Sequence, residues 1–101
     1  MFFMTHVTYP PGSSTKAAST FVTATATPLP SFMKRLHVLT TAKGEVGIDT
    51  FGIYEVDDNR VKEAMIEFTK YFVNFYGIEG FKYEIEPMLT VQEAIPLVLN
   101  R

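Results

Sequence analysis

The feature that most constrains this fold is the order in which extended and helical patterns alternate along the chain. Runs rich in aromatic and β-branched residues predict strands over residues 2–9, 33–41, 48–56 and 81–87. Apolar residues at helical spacing predict two helices, one after the first strand and one after the third. The predicted order is therefore strand, helix, strand, strand, helix, strand.

Residues that favour turns and helix caps fix the ends of these elements. Ser13 or Ser14 caps the first helix, which runs to about Thr25, and the second helix runs from Arg60 to about Tyr76. Thr90 opens a short third helix, because a threonine followed three residues later by a glutamate matches the capping-box pattern.

This order of elements is the split βαβ arrangement of a ferredoxin-like α+β fold. Right-handed crossovers place the first and third strands at the centre of an antiparallel sheet and both long helices on one of its faces. The 101 residues are enough for a single core, so we expect one domain over residues 1–101 with a short C-terminal helix added.

The other face of such a sheet needs a cover, and the strand alternation predicts which side chains lie there. The side chains expected to face the helices are Phe3, Val7, Phe51, Ile53, Tyr83 and Ile85. Those expected to face outward are Met4, His6, Thr8, Thr50, Tyr54 and Glu84. Apolar and hydrogen-bonding groups are mixed in the outward set, which is typical of an interface. On the second helix, Ile66 and Val73 form a further apolar edge that we expect the C-terminal segment or a second subunit to cover.

Composition excludes several classes of function. The 9 basic and 11 acidic residues leave a net charge of −2 with no basic cluster, which disfavours nucleic acid as a partner. The absence of cysteine excludes disulfides, thiolate nucleophiles and cysteine-bound zinc. The sequence holds no segment long and apolar enough for a membrane, no targeting signal and no cofactor motif. We therefore expect a cytoplasmic protein without a metal or another cofactor.

Five side chains are candidates for a ligand site. His6 and His37 can act as acid, base or ligand near neutral pH, and His6 is the stronger candidate because it lies on a predicted central strand. Tyr9, Tyr54 and Tyr83 can offer hydroxyl groups from an otherwise apolar wall. The competing interpretation for all five is that they are ordinary strand residues.

Two stretches carry a resemblance to a known superfamily. They are FGIYEVDD at residues 51–58 and YEIEPML at residues 83–89, the latter followed by QEA at residues 92–94. Together with the order of elements they resemble the dimeric α+β barrel superfamily, in particular a small branch of unknown function related to antibiotic-biosynthesis monooxygenases and stress-responsive barrel domains. The resemblance implies a homodimer whose sheets meet face to face, with a small-molecule cavity in several families. The chain departs from the cofactor-free monooxygenases of this superfamily in having no tryptophan.

The functional prediction is a homodimeric barrel that binds a small apolar molecule. The alternatives are a cofactor-free enzyme resembling a monooxygenase or an isomerase, and an interaction module without any ligand. An RNA-recognition domain shares the order of elements, but the leading basic residue of its third-strand motif is missing here, with Asp49 nearby, and Ile53 occupies a position that the motif often fills with an aromatic residue. An amino-acid-binding regulatory module usually accompanies a further domain. The sequence leaves open whether this protein is an enzyme.

Overall fold

The computed structural model describes residues 1–100 and confirms the predicted order of elements. The strands are β1 (Phe2–Tyr9), β2 (Met33–Ala42), β3 (Ile48–Val56) and β4 (Lys82–Met88). The helices are α1 (Ser14–Ala24), α2 (Val61–Val73) and α3 (Val91–Leu99). The fold is α+β and ferredoxin-like, with β1 and α1 followed by the β2–β3 hairpin, α2 and β4.

The four strands form one antiparallel sheet in the order β2-β3-β1-β4. The two central strands are therefore β1 and β3, as the crossover rule predicts. Their register pairs His6 with Phe51 and Thr5 with Gly52, while His6 also lies opposite Glu84 of β4. A β-bulge interrupts the pairing of β2 with β3 between Arg35 and His37.

The core lies between one face of the sheet and α2. This helix has buried side chains at a spacing of four residues, Ala64, Phe68 and Phe72, which place one continuous stripe against the strands. Phe68 contacts the rings of Phe3 and Tyr54, with centroids 5.6 and 5.0 Å away. Burial of this aromatic cluster contributes apolar stabilisation to the fold.

Helix α1 packs more loosely on the same face of the sheet. Ala17 is the only buried residue of this helix. Ser13, the residue that precedes the helix, donates from its hydroxyl to the carbonyl of Glu79 at 2.6 Å. The hydroxyls of Thr23 and Thr25 donate to backbone carbonyls one turn earlier, which weakens a helix. The loose packing leaves space between α1 and the sheet.

The second helix ends earlier than predicted. Its last helical residue is Val73, and the amide group of Asn74 donates to the carbonyls of Lys70 and Tyr71 at 3.3 and 2.9 Å. These bonds satisfy carbonyl groups that the helix end would otherwise leave unpaired. Gly77, with φ of 89°, therefore lies in the following turn rather than at the helix end.

The predicted orientation of β3 is wrong. Tyr54 faces the helices, where it is 6% exposed, and Thr50 also lies on that side. Phe51 and Ile53 instead face outward, because they pair with His6 and Met4 on the open face. Large apolar residues occupy both sides of this strand, so alternation alone could not decide between them.

Helix α3 begins with the predicted capping box, in which the Thr90 hydroxyl accepts from the amide of Glu93 and the Glu93 carboxylate accepts from the amide of Thr90. None of its residues is buried. Ile66 and Val73 remain about half exposed, so α3 does not cover them. Of the two predicted covers, the C-terminal segment is therefore wrong. None of the helices within residues 1–100 is long and apolar enough to span a bilayer.

Candidate functional site

A cavity of about 310 Å³ lies between the sheet, α1 and α2. The strands contribute Thr5, Val7, Tyr9, Val38, Thr40, Thr50, Gly52 and Tyr54 to its lining. The helices and the segment before β4 contribute Ala17, Ala18, Phe21, Val22, Tyr71, Phe72, Phe75 and Phe81. The lining is mostly apolar, with hydroxyl groups from the strands as its polar component.

The cavity opens to solvent beside α1, because this helix packs loosely on the sheet. Phe21 and Val22 lie on the side of α1 that borders it, yet they are 38% and 69% exposed. Phe72 and Phe75 on the opposite side are almost fully buried. The cavity therefore runs from an open apolar entrance into a closed aromatic interior.

The floor of the cavity depends on Gly52 in the middle of β3. A Cβ atom at this position would lie 2.5 Å from the Thr5 hydroxyl oxygen and 2.7 Å from Cε1 of Tyr54. Both distances are far inside van der Waals contact, so no larger residue fits without displacing its neighbours. The missing side chain lets the Thr5 and Tyr54 side chains reach the cavity floor.

A polar group lies beside the Tyr54 ring. Arg35, on the helix-facing side of β2, donates from Nε to the Tyr54 hydroxyl at 3.3 Å, and its Cζ atom is 5.6 Å from the Tyr54 ring centroid. Burial raises the pKa of Tyr71 to about 12, with a further increase from Tyr54 and an opposing effect of Arg35. Tyr71 is thus a protonated phenol at neutral pH.

The open face of the sheet carries a second group of polar side chains. His6 Nε2 lies 3.1 Å from Oδ1 of Asp49, which also accepts from the Thr8 hydroxyl at 3.0 Å. Lys43 Nζ is 3.0 Å from the other carboxylate oxygen. Hydrogen bonds from Lys43, His6 and Thr8 lower the pKa of Asp49 to about 2, so this carboxylate is ionised at neutral pH.

The structure does not gather the five predicted site residues in one place. Tyr9 and Tyr54 line the cavity. Tyr83 lies on the same side of the sheet, but its ring stacks on Phe72 and its hydroxyl is 3.0 Å from that of Tyr76. His6 and His37 lie on the open face, on neighbouring sides of β3. Within residues 1–100, no three His, Cys, Asp or Glu side chains are grouped to hold a metal ion.

Sequence reasoning missed Thr5, Gly52 and Tyr71, which line the cavity, and Arg35, which is hydrogen-bonded to the lining residue Tyr54. One usable signal was present, because a glycine inside a strand often marks a close approach of other groups. Arg35 and Tyr71 gave no such signal. Their positions depend on the bulge in β2 and on how far α2 stands from the sheet.

Comparison with solved structures shows the same fold in the C-terminal domain of the MgtC protein from Mycobacterium tuberculosis. The TM-score is 0.50 at 10% sequence identity, over 89% of this chain and 92% of that domain. A formyltetrahydrofolate deformylase from Burkholderia mallei gives a TM-score of 0.44 at 10% identity, over 86% of this chain and 28% of the enzyme. At this identity the likeness to the MgtC domain shows the fold alone. No protein-family model and no curated protein matches the sequence.

Proposed function

We propose that this domain binds a small, largely apolar molecule in the cavity between the sheet, α1 and α2. The observation that supports this most directly is the preformed cavity of about 310 Å³ in a domain of 101 residues. Its volume lies at the lower end of the range of ligand pockets, roughly 300–1,000 Å³. Its predominantly apolar lining with a few hydroxyl groups is also typical of such pockets.

The lining indicates the kind of molecule that fits. Phe72, Phe75 and Phe81 present aromatic surface, and α1 adds only small or aliphatic side chains apart from Phe21. Removal of apolar ligand surface from water provides the main driving force for such binding. The ligand is therefore small and predominantly apolar, with few hydrogen-bonding groups.

Titration of ¹⁵N-labelled protein with 2-naphthylmethanol tests this function. We expect saturable shifts of the amide signals of Thr5, Gly52 and Phe21, which border the cavity. Ala18→Trp fills the entrance and abolishes the shifts, whereas Thr15→Trp, at an exposed α1 position outside the lining, leaves them intact. An absence of saturable shifts in the unmodified protein contradicts the proposal and favours a module without a ligand.

We also propose that the domain forms a homodimer through the open face of the sheet. The central strands place Met4, Phe51 and Ile53 on this face, and Leu39 of β2 is 64% exposed there. The chain exposes 6946 Å², compared with about 5,800 Å² for a compact monomer of the same mass. The excess is larger than the roughly 800 Å² that one partner buries in a standard interface, so the chain has surface to spare for one.

The charges along the two edges of this face favour pairing with a second copy. Strand β4 presents Glu84 and Glu86 there, which outweigh Lys82, while the β2 edge presents Lys34. A two-fold axis parallel to the strands places each acidic edge opposite the basic edge of the other copy. Such an arrangement is self-complementary, as a two-fold interface requires.

Sedimentation velocity tests the homodimer. We expect a dimer for the unmodified chain, a monomer for Ile53→Asp on the open face, and a dimer for Ile66→Asp on the outer side of α2. Glu84→Lys weakens the dimer, because it puts a positive charge on the edge that faces the basic β2 edge of the other copy. A monomer at all concentrations for the unmodified chain contradicts the proposal.

A further inference from the structure

We infer that the ligand of the cavity carries a carboxylate, which the Arg35 guanidinium binds beside the Tyr54 ring. This inference rests on the proposed function and adds the chemical class of the ligand: an apolar carboxylic acid in its anionic form. It follows from the charge around the cavity, from the unused donors of Arg35 and from the position of Arg35 in the sheet.

Positive charge lies beside the cavity without a negative charge in its lining. Its lining contains no Asp, Glu, Lys, Arg or His side chain. Arg35 is hydrogen-bonded to a lining residue, Tyr54, and its positive charge acts on another, Tyr71. A single positive group next to an apolar cavity selects an anionic ligand over a neutral or cationic one.

Most of the hydrogen-bond donors of Arg35 have no acceptor within residues 1–100. Only Nε makes a hydrogen bond, to the Tyr54 hydroxyl, and no carboxylate within residues 1–100 lies within 4.0 Å of this guanidinium. Arg60 differs, because it lies 3.5 Å from Glu63 and covers the Phe32 ring. The planar guanidinium group of Arg35 matches a carboxylate and can bind both of its oxygens.

Arg35 occupies a position in the fold where a charged side chain is costly. It lies on the helix-facing side of β2, two residues after the buried Met33, and its side chain is itself partly buried. A charged group loses hydration at such a position and needs a compensating partner. A ligand carboxylate supplies this partner, while Tyr71, a lining residue on which the charge of Arg35 acts, adds a protonated phenol as a neutral donor.

A matched pair of probes tests the inference. Isothermal titration at pH 7 compares 2-naphthoate with 2-naphthylmethanol, which share an apolar body and differ in charge. We expect the unmodified protein to bind naphthoate at least ~10-fold more tightly, since a hydrogen bond to a charged group contributes at least this factor. In Arg35→Gln the preference disappears while the alcohol still binds. In Lys62→Gln, which removes an exposed cation of α2 outside the cavity lining, the preference remains.

The outcomes separate this inference from the proposed function. Equal affinity of the unmodified protein for both probes, or a preference that survives in Arg35→Gln, overturns the carboxylate inference while the cavity stands as a binding site. Binding of neither probe contradicts the proposed function itself. The comparison in the unmodified protein is decisive alone if Arg35→Gln fails to fold.

Discussion

The imidazole of His6 lies parallel to the ring of Phe51, with the two centroids 4.5 Å apart and an angle of 5° between the planes. The two residues are direct partners on the central strands β1 and β3. Stacking fixes the imidazole so that Nε2 lies 3.1 Å from the carboxylate of Asp49. The open face of the sheet thus has an ordered polar group at its centre, next to apolar side chains.

The ion pairs of Asp49 predict a change in acid stability. Its pKa in the folded protein is about 2, below the usual 3.8, so its contribution to stability is present above about pH 4 and is lost as the pH falls towards 2. Asp49→Asn lacks this contribution and should lose less stability across that interval. Urea unfolding at several pH values measures the difference, with Glu45→Gln as a control that keeps the steep decline. Parallel profiles for Asp49→Asn and the unmodified protein would contradict the prediction.

Gly52→Ala should destabilise the fold and also block the cavity. The added methyl group meets Thr5 and Tyr54, which are both held in the interior, and overpacking of this kind costs about 1–3 kcal/mol. Gly12→Ala is the matched control, because no atom lies within 4 Å of the Cβ position there. Thermal unfolding and naphthylmethanol titration measure both effects. Unchanged stability in Gly52→Ala would show that the floor of the cavity can yield.

Phe68→Ala should be among the most destabilising substitutions in α2. Phe68 is 3% exposed between Phe3 and Tyr54, and removal of a buried phenylalanine ring costs about 3–5 kcal/mol. Ile66→Ala on the exposed side of the same helix should change stability by only about 0.5 kcal/mol. Chemical denaturation of the two variants compares these values. Equal losses would mean that the outer side of α2 is covered in solution.

Tyr71 should ionise only in strong alkali. Its folded-state pKa is about 12 against the usual 10.0, so the protonated phenol contributes stability below pH 10 that is lost as the pH rises towards 12. A stopped-flow pH jump monitored by phenolate absorbance reads this step before the chain unfolds. Tyr71→Phe should remove it, whereas Tyr9→Phe should leave it in place. A profile in Tyr71→Phe that keeps the late step would assign it to another residue.

Local signals in the sequence were sufficient for the order of elements and for several of their ends. The bounds of β3, Ile48–Val56, agree with the prediction because a glycine-containing turn precedes the strand and acidic residues follow it. The start of α3 agrees because Thr90 and Glu93 satisfy each other's backbone groups without any tertiary contact. The ferredoxin-like fold follows from these elements through crossover handedness.

The cavity could not be predicted, because it depends on packing between elements distant in sequence. The bulge after Arg35 breaks strict alternation, so Arg35 faces the helices while His37 faces the open side. The predicted orientation of β3 placed Tyr54 on the open face, which is wrong. The actual orientation is determined by Val56, which is buried, and by Gly52, which the Thr5 and Tyr54 side chains approach closely. Neither the bulge in β2 nor the orientation of β3 can be recognised from the periodicity of apolar residues in the sequence.

The alternation of β3 also limits how this protein can change in evolution. Gly52 and Tyr54 serve the cavity, whereas Phe51 and Ile53 serve the open face. Insertion or deletion of one residue before Phe51 within the strand would exchange the two sets and damage both surfaces at once. Descendants of this chain can accept such a change only with a compensating bulge of the kind that β2 already contains. Point substitutions on either face remain independent, so the two surfaces can diverge separately while the strand keeps its length.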